Sequence, residues 1–194
     1  AKAGRIEAAA LEFRRTIAID PDRADAVMGL GRLYFETGSP DSALPYFERA
    51  VAIDGNDPVA RMRLGWTYRE LGRLGEAREA FGEAARVAPG MAEAYLNLGQ
   101  IAFRMGDVEE SVRHFLKAVE LRPDYSLAHL SLGVARVRLG RFREAASAYE
   151  RAVELDPDDG QAHLFLSDVY DRIGRGEEAR RHRERARTLA DSLR

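Results

Sequence analysis

Four histidines, His114, His129, His163 and His182, are the side chains of this 194-residue chain best suited to metal ligation or proton transfer. No two of them stand at the i, i+4 spacing that puts two imidazoles on one helical face. His129 and His163 lie 34 residues apart and read as one half-buried packing position used twice, since a metal would need a third ligand that the sequence does not supply. With no cysteine, thiolate metal sites, disulfides and cysteine nucleophiles are excluded. The adjacent carboxylates Glu109 and Glu110, and Glu177 and Glu178, each open an amphipathic stretch, where negative charge favours the helix dipole. Phosphate-binding loops, dinucleotide glycine fingerprints and nucleophile elbows are all missing. The reading is of a chain without catalytic residues, metal or cofactor.

The elements behind these residues follow from composition and pattern. Hydrophobic residues make up 45% and charged residues 32%, enough apolar surface for an ordered fold. Thirty basic residues face 32 acidic ones, which gives no general attraction to nucleic acid or anionic lipid. Lys2 and Lys117 are the only lysines, an arginine bias that a GC-rich genome accounts for as easily as function does, and the parent protein is read as bacterial. No apolar stretch approaches the roughly 20 residues of a membrane-spanning helix, so no membrane insertion is expected of this segment.

Self-comparison gives a period of 34 residues. Gly31, Gly65, Gly99 and Gly133 form one glycine series, suited to close helix approach. Gly4, Gly38, Gly72, Gly106, Gly140 and Gly174 form another, suited to ending a helix in the left-handed conformation. In step with them run Leu30, Leu64, Leu98, Leu132 and Leu166, then Ala9, Ala43, Ala77, Ala145 and Ala179. Phe13, Phe47, Phe81, Phe115 and Tyr149 form an aromatic series, and Pro21, Pro89, Pro123 and Pro157 close the units. This pattern resembles the tetratricopeptide repeat (TPR) family. Arg61, Ala102, Arg136, Ser111, Ser167 and Gly55 each depart from it singly.

The resemblance implies an all-α fold: a right-handed α-solenoid of antiparallel helix pairs, with eleven helices and no strand. The parsing is a lone second helix within 1–23, at about 5–20, followed by five complete repeats at 24–57, 58–91, 92–125, 126–159 and 160–193. The chain begins inside a repeat, so it reads as one module of a larger protein, its compartment open between the cytoplasm, the default, and the periplasm. In the last helix Arg180, Arg183 and Arg187 replace apolar residues on one face, as expected of a C-terminal cap that ends a stack.

In this family the first helix of each pair faces the ligand, and reading those positions here gives a candidate peptide-binding lining. The first complete repeat contributes Met28, Arg32 and Phe35, and the second Met62, Trp66 and Arg69. The third contributes Leu96, Asn97, Gln100, Phe103 and Arg104, the fourth Leu130, Val134, Val137 and Arg138, and the last Arg172. Val59, Leu127, Leu164 and Phe165 occupy further ligand-facing positions. Some family members grip a terminal carboxylate through a clamp of lysine, arginine and asparagines. Asn97 fits its middle asparagine, but Met62 and Trp66 before it and Leu127 and Ser131 after it do not.

The thirteenth position reads Glu36, Glu70, Arg104, Arg138 and Arg172, changing sign once. The expectation is a protein-interaction scaffold whose partner, a protein or peptide, carries apolar anchors and acidic residues. The alternative is a self-association or intramolecular regulatory segment of a larger, enzymatic protein.

Overall fold

The computed structural model describes residues 2–192, with side chains described from Ile6 onward; the outermost residues of the first and last parsed segments lie outside this range. The described residues form eleven α-helices and no strand. In chain order they are α1 (Lys2–Ile19), α2 (Ala24–Glu36), α3 (Pro40–Ile53), α4 (Pro58–Glu70), α5 (Leu74–Val87) and α6 (Ala92–Met105). Then follow α7 (Val108–Leu121), α8 (Ser126–Arg138), α9 (Phe142–Leu155), α10 (Gly160–Arg172) and α11 (Gly176–Ser192). The chain divides into two compact units, Ala1–Ala94 and Tyr95–Arg194. No change of spacing marks that place in the sequence.

One expectation needs correction. Helix α1 begins at Lys2 and runs through Gly4, whereas the 34-residue spacing places Gly4 in the helix-ending series. The left-handed turn at its counterparts closes a preceding helix, and among the described residues no helix precedes α1.

The other glycines of that series behave as expected. Gly72, with φ of +74°, occupies the region where a Cβ would be strained. Its N–H reaches the Arg69 carbonyl at 3.1 Å, and the next N–H, from Arg73, reaches that of Tyr68 at 2.8 Å. This double bond-back satisfies carbonyls that the end of α4 would leave open. Helix starts are fixed differently: Asp57 accepts from the Val59 N–H, and Asp159 from those of Gln161 and Ala162.

The first glycine series sets the distance between paired helices. A Cβ built on Gly65 would lie 2.6 Å from the Phe81 ring, one on Gly99 2.5 Å from Phe115, and one on Gly133 2.3 Å from Tyr149. These rings are the aromatic series of the second helices, and all three are at most 2% exposed. Burial of one such ring stabilises by about 1.5–3 kcal/mol. In the last repeat the glycine is replaced by Ser167, and the residue at the ring position is Arg183. The two departures are one: without a ring to receive, the helix has room for a side chain. Ser167 is fully buried, and its Oγ has no hydrogen-bond partner among the described residues.

Two substitutions separate these cases. Gly133→Ala should destabilise by about 1–3 kcal/mol, the usual cost of overpacking. Ser167→Ala should leave stability unchanged or raise it by about 1 kcal/mol, because it removes an unsatisfied buried hydroxyl. Urea unfolding followed by circular dichroism measures both.

Candidate functional site

In the first unit the candidate residues lie on α2 and α4. Trp66 is half-buried, with the Arg63 guanidinium 5.2 Å from its ring centroid. A cavity of about 390 Å³ opens beside it, lined by Phe35, Gly38, Pro40, Trp66, Arg69 and Glu70. Met28 is half-buried against Val27, Ala50 and Ala60. The cations are already engaged within their own helices, Arg32 with Glu36 at 3.9 Å and Arg69 with Glu70 at 3.1 Å.

In the second unit a cavity of about 240 Å³ is lined by Val134, Val137, Tyr149, Phe165, Asp168, Val169 and Arg172. Tyr149 and Phe165 form its aromatic wall, with ring centroids 5.6 Å apart. Leu130 packs against the same core, and Phe103 against the one formed around Leu132. Arg104 and Arg138 are exposed, Gln100 is half-buried, and Arg172 lies over the Phe142 ring at 5.1 Å.

Three candidates are placed elsewhere. Met62 and Leu96 are each 3% exposed and Asn97 is 6% exposed, so these side chains belong to the interior and present no surface to a ligand. Leu96 packs with Val112 and Phe115, a core that its helical spacing alone did not separate from a groove lining. Val59, Leu127 and Leu164, in contrast, stand exposed. Asp168, absent from the sequence-derived lining, stands one repeat after Val134 and two after Gln100.

The histidines carry a role beyond packing. His129 Nε2 lies 2.9 Å from the Pro123 carbonyl and His163 Nε2 3.1 Å from that of Pro157, so both rings donate six residues back to the end of the preceding repeat. Arg61, at the same repeat position, donates through Nε to the Gly55 carbonyl at 2.7 Å. Arg61 and Gly55 were separate departures from the family pattern; in the structure they are partners. A side-chain donor at this position ties the connection between repeats to the helix that follows.

A second device recurs 20 residues apart. The Tyr68 hydroxyl donates to Glu48 at 2.9 Å and the Tyr170 hydroxyl to Glu150 at 2.6 Å, while Arg14 donates to the Tyr34 hydroxyl. Arg136 takes the tyrosine's place in the fourth complete repeat, where the residue 20 positions earlier is Leu116, which offers no acceptor. Arg136 turns instead to Glu144, with which it pairs at 3.4 Å. Burial lowers the Arg136 pKa, and Glu144 offsets part of that effect. Among the described residues no group of three or more histidines and carboxylates is placed to hold a metal ion, and no helix is long and apolar enough to cross a membrane.

Burial raises the pKa of Tyr149, and burial together with the bond to Glu150 raises that of Tyr170. A folded-state value above the unfolded one means that the folded chain keeps these protons longer. Their contribution is therefore present below the ordinary tyrosine value of about 10 and is lost as pH rises beyond it. Ultraviolet titration should show Tyr149 and Tyr170 ionising last, together with unfolding; Tyr149→Phe and Tyr170→Phe identify the two contributions.

The sequence matches tetratricopeptide-repeat family models over residues 90–158, over 1–58 and 130–192, and over 35–84. No curated protein matches it. Among solved structures, MamA 41-end from Desulfovibrio magneticus RS-1 is 22% identical with a TM-score of 0.79, covering 87% of this chain and 96% of that one. PilF of Pseudomonas aeruginosa is 20% identical with a TM-score of 0.81, covering 93% of this chain and 82% of that one. YrrB, described as a TPR protein with an unusual peptide-binding site, is 20% identical with a TM-score of 0.74 and covers 91% of each chain. With helix pairs of the expected type in each unit and family matches over most of its length, the chain belongs to the tetratricopeptide-repeat family.

Proposed function

We propose that this chain is a protein-interaction scaffold, and that the exposed first-helix faces of its units hold an extended or helical segment of a partner. The observation that carries this reading is the second unit's cavity, with an apolar wall of Val134, Val137 and Phe165 and Arg172 at its rim. An apolar side chain of a partner would fill the cavity, and the exposed Arg104 and Arg138 would take carboxylates beside it through charge-assisted bonds. The YrrB description supports the same use of this fold. In the first unit Glu36 and Glu70 stand at the corresponding positions, and a basic residue is the complement there.

The reading is tested on an array of synthetic peptides that varies apolar anchors against acidic and basic neighbours. Peptides with an aromatic or leucine anchor flanked by carboxylates should be retained. The charge-reversed double variant Arg104→Glu, Arg138→Glu should lose about tenfold in affinity at low salt and less at high salt, because exposed charges are screened. Retention that ignores peptide charge and is unchanged in the double variant would overturn the acidic-ligand assignment.

Occupation of the first unit has its own reporter. Trp66 is the sole tryptophan, so filling the cavity beside it should shift its emission to shorter wavelength. Trp66→Ala should weaken binding of the same peptide by about tenfold or more, the scale of an aromatic anchor. Fluorescence titration and calorimetry read the two effects separately.

A further inference from the structure

The last helix is held unlike those before it. Helix α9 buries Ala145, Ala146, Ala148, Tyr149 and Ala152, whereas α11 buries only Ala179 and Ala186. Leu189, half-buried beside Gly160, adds an apolar contact, and polar contacts join it. Arg183 pairs with Asp171 and Arg185 with Asp158, the second at 2.7 Å, and both pairs are solvent-accessible and correspondingly weak. Between them, His182 Nδ1 of α11 meets His163 Nδ1 of α10 at 2.8 Å, with ring centroids 5.0 Å apart.

We propose that His163 and His182 form a proton-operated latch, which holds α11 on α10 when the rings are neutral and releases it when mildly acidic pH protonates them. The protons are assigned by the partners. The Pro157 carbonyl can only accept, so His163 Nε2 carries a hydrogen, and in the neutral ring Nδ1 is left as an acceptor. His182 Nδ1 therefore donates to it. One added proton goes to the remaining ring nitrogen of His182, Nε2, and leaves the Nδ1–H···Nδ1 bond in place, at the cost of a charge beside a ring, His163, that is 6% exposed. A second sets two N–H groups head to head and two cations against each other, and the contact cannot survive.

The surroundings do not offset this. His182 faces Glu150 of α9, His163 and Tyr170 of α10, Arg175 in the turn before α11, and Glu178 on α11 itself. Glu150 is taken by the Tyr170 hydroxyl at 2.6 Å and by Arg175 at 3.2 Å, and Glu178 by Arg175 at 3.0 Å. Burial first, and the neighbouring His163 second, depress the His182 pKa below the ordinary histidine value. The released helix thus takes up a proton before the docked one does. Docking is at full strength above about pH 6.5 and weakens as pH falls from there toward the depressed folded-state value. Release uncovers the rings of His163 and Tyr170 on α10, both of which contact His182 when α11 is docked.

Hydrogen exchange of the full chain, followed by mass spectrometry at pH 7.5 and 5.0 and corrected for intrinsic rates, tests the latch. Protection across 176–192 should fall tenfold or more at pH 5.0 while α9 keeps its own, and His182→Gln, shown folded by circular dichroism, should abolish that difference. Equal protection of α11 at the two pH values, or a pH-dependent loss that persists in folded His182→Gln, would overturn the proposal. The ring resonances of the unmodified chain give a readout that needs no variant. His182 should titrate below the ordinary histidine value, and a His182 titration at or above about 6.5 would refute the latch.

Discussion

The close approach of a glycine on one helix to an aromatic ring on the next is the contact on which this structure rests. A Cβ at Gly99 would stand 2.5 Å from the Phe115 ring, nearer than atoms can pack, so only glycine lets the pair close around the ring. The ring in turn is what makes the hairpin worth forming, because a short amphipathic helix is marginal alone and gains its stability from the face it buries. Helix length, turn geometry and the outward face of each pair all follow from keeping that contact in register.

Four of the six departures from the repeat pattern are matched by a change at the position they would have touched. Ser167 stands opposite Arg183 where other repeats set glycine opposite a ring, and Arg61 binds the carbonyl of Gly55 where other repeats use histidine and proline. Arg136 meets no acceptor at Leu116 and pairs forward with Glu144. A lapse at one position is tolerated when the residue it would have touched has also changed, because packing responds to the pair and not to either member. The last repeat carries these changes furthest. It exchanges ring burial for arginine, carboxylate and histidine contacts, which join Ala179, Ala186 and Leu189 in attaching its final helix.

The division between interior and surface within first helices has a functional consequence. Phe35 and Trp66, or Val134 and Phe165, border hollows large enough for a side chain, while Met62, Leu96 and Asn97 on the same helical pattern are enclosed. The candidate binding faces are therefore small apolar hollows edged by charge rather than a continuous oily strip.

The order of helices, their pairing, the turn glycines and the family were determined by the sequence alone, because a 34-residue period and helical spacing are properties of neighbouring residues along the chain. The aromatic series and the glycine series were legible too, although which glycine met which ring was not. Tertiary structure decided which apolar first-helix residues are enclosed, since Leu96 and Phe103 share a helix and differ only in what packs over them. It also decided that His163 meets His182. A search for i, i+4 ligand spacing examines one helix at a time, whereas these rings stand 19 residues apart on two helices whose approach depends on the small side chains between them.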